Sequence, residues 1–162
     1  MSAPEARAEP IAEEVSQGAG VLLVIGALDR LGLRARLERD PEAAASGFGR
    51  HLLRHIAERA RLSPEDPLFA LLPAPDTAPD TDALRAWRVG LDRWLRWRVR
   101  RWLAEVIRRR GWLHLADATL LVRFPLASAD IRLRRRALDS DPGWVPWLGL
   151  TVRFLYQDTP TA

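Results

Sequence analysis

The feature that most constrains the fold of this chain is a change in the spacing of its apolar residues after Gly111. Before that residue, apolar side chains recur every three to four positions, which is the period of a helix with one buried face. After it they alternate, as in a strand with one buried face. The sequence therefore predicts an α+β fold: N-terminal helices and one long helix rich in Arg and Trp, followed by a three-stranded antiparallel sheet.

Three segments after Gly111 alternate strongly enough to predict strands. Pro125 ends the first of them, because proline cannot donate a hydrogen bond to a neighbouring strand. In the second, Ile131 and Leu133 face one way and arginines face the other. The connections are of modest length, so an antiparallel meander is expected. The predicted strands are residues 118–124, 130–136 and 149–156.

The long helix is predicted over about residues 83–110. Asp80 and Asp82 precede it as capping residues, and Gly111 suits its C-terminal end. One face is apolar at 100° per residue. That face consists of Leu84, Trp87, Leu91, Trp94, Leu95, Trp102 and Val106.

The first half of the chain is predicted to be helical, with one helix over about residues 18–37, a second from about Pro41 or Gly47 to residue 62, and a short turn through residue 72. Leu22 and Ile25 lie on the apolar face of the first helix, and Leu52 and Ile56 lie on that of the second. Three prolines between residues 73 and 79 indicate a stiff, extended connection. The expected organisation is a flexible acidic lead (1–17), a helical subdomain (18–72), a Pro-rich linker (73–82), and the long helix plus antiparallel β-meander (83–158).

Charge is divided unevenly between the two halves. Residues 1–83 contain 9 arginines and 14 acidic residues, whereas residues 84–162 contain 16 arginines and 7 acidic residues. All the basic residues are Arg, which a GC-rich coding sequence would also produce, so Arg content alone does not indicate nucleic acid. The basic half is expected to attract either the acidic half or an anionic partner.

Several classes of protein are excluded or disfavoured. The chain has no Cys, which excludes disulfides and thiol catalysis. Its longest apolar stretch, within residues 18–28, is short beside the roughly 20 residues that cross a bilayer. The acidic N-terminus lacks the basic-then-apolar order of a secretory signal. We therefore expect a cytoplasmic protein without a membrane span.

The polar side of the predicted long helix is the main candidate site. Residues 84–110 contain ten arginines but only Asp92 and Glu105 as acids. Trp97 lies among the arginines and off the apolar face. Tryptophan and arginine are the commonest anchors of protein interfaces, and the same combination binds single-stranded nucleic acid. The interface candidates on this helix are Arg93, Arg96, Trp97, Arg100 and Arg101.

A second candidate is the loop that carries Trp144 and Trp147. Pro142 and Pro146 hold this loop rigid, which lowers the entropic cost of ordering it. Either indole can cap the end of the sheet core or serve as an exposed docking anchor. Both stay open as interface candidates.

A weaker candidate is a metal site at His51, His55 and Glu58, which share one helix face. Position 52 is Leu, so the HExxH zinc motif is not present. An exposed polar stripe is the alternative interpretation. An enzyme site assembled from these residues and His114 is a further alternative. No cofactor-binding motif is present, and we predict a non-enzymatic protein without a cofactor.

Two stretches allow a family comparison. The first stretch consists of Gly18-Ala19-Gly20-Val21-Leu22-Leu23 followed by Leu28-Asp29-Arg30-Leu31-Gly32-Leu33. The second consists of Leu52-Leu53-Arg54-His55-Ile56-Ala57 and Pro64-Glu65-Asp66-Pro67-Leu68. Together they resemble tape-measure-like and accessory proteins of bacterial contractile injection systems, which are phage-tail-like particles. The chain is short for a ruler that measures length at about 1.5 Å per residue, so the resemblance implies an accessory or assembly component.

The sequence thus predicts a protein–protein interaction or assembly module whose partner is another protein or a second copy of the chain. The alternative is a nucleic-acid-binding module that uses the Arg/Trp face of helix 83–110.

Overall fold

The computed structural model describes residues 13–77 and 79–158. Helices dominate before residue 108 and strands after it, which confirms the α+β class. The helices are α1 (Ile25–Arg30), α2 (Leu33–Arg39), α3 (Pro41–Ala45), α4 (Phe48–Arg59), α5 (Leu68–Leu71), α6 (Thr81–Trp94), α7 (Leu103–Ile107) and α8 (Ile131–Arg135). The strands are β1 (Glu14–Ser16), β2 (Gly111–Ala116), β3 (Thr119–Pro125), β4 (Gly143–Val145) and β5 (Leu150–Gln157). Short 3-10 segments cover Ala19–Val24 and Leu126–Ser128, and a π-helical turn covers Leu95–Val99.

The described residues form a five-stranded mixed sheet with the order β1-β2-β3-β5-β4, so the predicted three-stranded antiparallel meander is wrong. Strands β2 and β3 are antiparallel, but β3 and β5 pair in parallel, with Leu120 opposite Val152. A parallel pair needs a crossover connection, and α8 and β4 lie within it. The predicted strands 118–124 and 149–156 correspond to β3 and β5.

The predicted strand over residues 130–136 is wrong, because Ile131–Arg135 is a helix. Asp130 caps this helix by accepting a hydrogen bond from the Arg132 amide at 2.9 Å. Leu133 is buried whereas Ile131 is exposed, so the two side chains do not share a face. Alternation over so few residues cannot distinguish a strand from one turn of helix.

The predicted continuous helix over residues 83–110 is also wrong. Helix α6 ends at Trp94, the π-helical turn follows, and Arg100 adopts a left-handed conformation with φ of +61°. A new helix, α7, then begins at Leu103, whose amide donates a hydrogen bond to the Asp92 carboxylate at 3.1 Å. The break changes which side chains face solvent in the second half of the predicted helix.

Glycines split the helices of the first half as well. Gly32, at φ +94°, separates α1 from α2, and Gly47, at φ +77°, separates α3 from α4. The helix predicted over 18–37 is therefore divided, whereas the start of the second helix near Gly47, one of the two predicted starts, is confirmed because α4 begins at Phe48. A left-handed backbone costs little at glycine, so these positions are natural breaks.

The C-terminal end of the predicted flexible lead is ordered. Glu14–Ser16 forms β1 and pairs with β2, so the prediction is wrong for these residues, while residues 1–12 lie outside the described part. Buried Asp66 fixes this segment, since it accepts hydrogen bonds from the Ser16 hydroxyl at 2.7 Å and the Gln17 amide at 2.9 Å. It also accepts from the Leu68 amide at the start of α5.

A single cluster of buried apolar side chains joins the predicted helical subdomain to the predicted helix-and-sheet part. Leu22, Ile25 and Leu28 come from the first, and Val106 and Phe124 come from the second. Among the described residues, no helix has both the length and the apolar character needed to cross a bilayer.

Candidate functional site

The turn after α6 places Trp97 at the surface. In a π-helical turn one extra residue is inserted, and such turns recur at functional positions. Here the turn ends at Arg100, whose left-handed backbone is unfavourable for a residue with a side chain. Trp97 lies within this turn and is 75% exposed. The sequence-based expectation that Trp97 lies off the buried face is confirmed.

Helix α8 packs against the same turn through hydrogen bonds from its arginines. Arg132 Nη1 donates to the Arg100 carbonyl oxygen at 3.1 Å, and Arg136 Nε donates to the Arg98 carbonyl oxygen at 3.0 Å. Each bond uses only part of the donor set of a guanidinium group. The tertiary structure therefore adds arginines of the α8 region to those around Trp97, which the predicted strand did not anticipate.

Asp130 links the start of α8 to Arg101 and Arg109, which follow the π-helical turn. Its Oδ2 accepts from Arg101 Nε at 2.8 Å and from Arg109 Nη2 at 3.0 Å, and Asp130 is only 8% exposed. Burial alone would raise the pKa of Asp130. The hydrogen bonds from Arg101, the Arg132 amide and Arg109 outweigh burial and hold the pKa below its ordinary value.

We call the resulting surface the arginine face. None of its guanidinium groups lies within 4.0 Å of a carboxylate among residues 13–77 and 79–158. All its members are exposed. Uncompensated like charges at this density favour an anionic partner. The arginine face consists of Arg93, Trp97, Arg98, Arg100, Arg132 and Arg136.

Two predicted interface arginines have intramolecular partners. Arg96 pairs with Asp92 at 3.3 Å and lies over the Trp102 ring at 4.8 Å. Arg101 is held by Asp130. Trp102 itself is 56% exposed, although the sequence placed it on the buried face of one continuous helix. No sequence signal identified its exposure, because the break at Arg100 reorients the chain.

The two tryptophans of the β4 loop have different environments. Trp147 is partly buried against the core, and its Nε1 lies 3.4 Å from Asp29 Oδ1, to which it donates. Burial raises the pKa of Asp29, while this hydrogen bond and Arg34 act in the opposite direction. Trp144 is 55% exposed. Trp147 therefore packs internally, and only Trp144 presents an exposed ring.

Two members of the His51, His55 and Glu58 set, His55 and Glu58, form hydrogen bonds with arginines. His55 Nε2 accepts from Arg88 Nε at 3.2 Å, and Glu58 accepts from Arg54 Nε at 2.7 Å. Burial, above all, lowers the pKa of both histidines. Within the described part of the chain, no group of three or more His, Asp or Glu side chains is arranged to hold a metal ion.

Comparison of the chain with known protein families, with curated proteins and with solved structures finds no match.

Proposed function

We propose that this chain is a non-enzymatic docking module that binds an acidic surface of a partner protein through the arginine face. The observation that carries the proposal is Trp97, a large indole left 75% exposed beside the arginines of the arginine face, which have no carboxylate within 4.0 Å among the described residues. Covering this ring removes apolar area from water, and carboxylates of the partner would pair with the surrounding guanidinium groups.

We expect Trp97→Ala to weaken binding to an acidic peptide by about 2 kcal/mol, or roughly 30-fold, because buried interface tryptophans contribute on that scale. The probe is a helical peptide of glutamates and leucines, and the measurement is isothermal titration at 50 mM salt. Stability is expected to change by no more than about 0.5 kcal/mol, since the ring is exposed.

Trp144→Ala is the matched control, because Trp144 is also exposed but lies outside the arginine face. Its binding is expected to equal that of the unmodified protein. Equal peptide affinity of Trp97→Ala and the unmodified protein contradicts the proposal.

A second candidate function is binding of single-stranded nucleic acid. The observation that favours it is the approach of Arg132 and Arg136 to the turn around Trp97, which gives stacking and phosphate contacts on one surface. A 20-nucleotide oligothymidylate, titrated at several salt concentrations, tests it. Binding that falls steeply with salt supports this function, and lack of binding at low salt excludes it.

The resemblance to contractile injection system proteins allows the proposed docking function to be placed in a phage-tail-like particle. We propose that the partner is a structural component of such a particle and that this chain acts as an accessory or assembly component. Adjacent genes for sheath, tube or baseplate proteins would support this extension. Failure of the chain to bind any purified component of the particle encoded beside it would contradict it.

A further inference from the structure

Gly90 lies in the middle of α6, where glycine is among the poorest helix formers. At most other glycines of the chain the structure itself favours glycine, because φ is positive or because a Cβ would come close to a neighbouring atom. At Gly90 the φ is not positive, and a Cβ would find no atom within 4 Å. The fold therefore does not require glycine here, and the space above Gly90 is open.

Two of the surface depressions that Gly90 lines are also lined by Leu31. One has a volume of about 590 Å³ and reaches the arginine face, whereas the other, of about 250 Å³, extends toward the start of α6. We call the two together the Gly90 groove. Its lining residues are Leu31, Ala86, Trp87, Gly90, Arg93, Trp94, Trp97 and Arg98.

The geometry of α6 makes the centre of this groove a notch. Trp87 and Trp94 lie three residues before and four residues after Gly90, so all three share one helix face. Both indoles are partly buried against the core, which holds them in place. The missing side chain at Gly90 leaves a gap between two fixed aromatic walls.

The rim of the groove is cationic. Arg93 and Arg98 line it, and the Arg30 guanidinium lies 5.9 Å from the centre of the Trp94 ring. An apolar notch between cationic side chains is complementary to an apolar side chain flanked by carboxylates. Trp97, at one end of the groove, is exposed enough for a base to stack on it, but Trp87 and Trp94, which form the walls of the notch, are partly buried. A notch between two partly buried rings fits an apolar side chain better than a stacked base.

We propose that the Gly90 groove receives an apolar side chain from an acidic segment of a partner protein, with the flanking carboxylates paired to Arg93 and Arg98. This inference rests on the proposed docking function and assigns the partner segment its chemistry. From Ala86 to Trp94 the groove follows about 12 Å of α6, which matches about two turns of a helical segment, and it continues onto the π-helical turn.

The test uses two 16-residue helical peptides: one of glutamates with leucines one helical turn apart, and one in which serine replaces each leucine. The leucine peptide is expected to bind the unmodified protein at least 10-fold more tightly than the serine peptide. Gly90→Phe fills the notch and is expected to weaken leucine-peptide binding at least 10-fold. Gly90→Ala is expected to raise the midpoint of thermal unfolding, because alanine is the better helix former.

Ala86→Phe, at another exposed position of the groove, is a second blocking variant in case Gly90→Phe fails to fold. Ala104→Phe is the matched control, because Ala104 is exposed on α7 and lines neither depression of the groove. Its leucine-peptide affinity is expected to stay within twofold of the unmodified protein.

The outcomes separate this inference from the proposed function. If the two peptides bind equally, or if folded Gly90→Phe and Ala86→Phe bind like the control while Trp97→Ala binds weakly, the inference is overturned and the proposed function stands. If neither peptide binds the unmodified protein at 50 mM salt, both are overturned. Self-association that Gly90→Phe abolishes, without peptide binding, identifies a second copy as the occupant and overturns the inference.

Discussion

Gly20→Ala is expected to destabilise the folded protein by about 3 kcal/mol or more, because there is no room for a methyl group. Gly20 is buried in the 3-10 segment that packs against α7. A Cβ at this position would overlap the Val106 carbonyl oxygen and would also come too close to the Ile107 carbonyl oxygen. These are backbone atoms within the core and cannot move aside as a flexible side chain can.

Urea denaturation followed by circular dichroism measures this effect. Gly26→Ala is the matched control, since Gly26 lies six residues away in α1 and its Cβ would have Leu138 Cδ2 as its nearest neighbour at 3.9 Å. There alanine is expected to stabilise the fold by up to about 1 kcal/mol through its better helix propensity. Similar stabilities of the two variants would contradict the packing of α7 on this segment.

Asp130→Ala is expected to destabilise the protein by about 2 to 3 kcal/mol, because it removes hydrogen bonds to two arginines and a helix cap, while Arg101 is exposed enough to be hydrated. The substitution leaves Arg101 and Arg109 without their shared carboxylate and removes the cap of α8. Because α8 and the turn after α6 are then less firmly joined, peptide binding by the arginine face is expected to weaken as well. Differential scanning calorimetry and the peptide titration measure the two effects.

The stabilisation from Asp130 is expected to depend on pH. The pKa of this carboxyl is below its ordinary value in the folded protein, so the folded state favours the ionised form. The stabilisation is complete above the unfolded-state pKa of about 4 and is lost as pH falls through the lower folded-state pKa. The difference in free energy of unfolding between the unmodified protein and Asp130→Ala should be constant from about pH 5 to about pH 7 and should decrease below about pH 4. A difference that is unchanged in acid would contradict the ionised pairing.

Local periodicity identified the buried residues of the first half well. Leu22, Ile25, Leu52 and Ile56 were predicted on apolar helix faces, and all four are buried. The division at Gly32 was not predicted, because an apolar pattern runs across a left-handed glycine without interruption, whereas Gly47 was one of the two predicted starts of the second helix. The periodicity therefore predicted burial more accurately than the ends of the helices.

The candidate site was predicted only in part. Trp97 and Arg93 were assigned to the solvent-facing side, and both are exposed. Arg132 and Arg136 were assigned to a strand, so their approach to Arg98 and Arg100 could not be anticipated. The exposure of Trp102 was missed for a similar reason, since a helix continuing to residue 110 would have buried it.

The sequence by itself determined the α+β class, the burial of the apolar helix faces in the first half and the position of Trp97 off the apolar face, because each depends on the order of neighbouring residues and the period of the backbone. Only the tertiary structure decided the parallel pairing of β3 with β5 and the joining of α8 to the turn after α6. These contacts link residues about thirty positions apart in the sequence. Their free energy depends on how complete elements pack and share buried charges such as Asp130, and no local pattern encodes that.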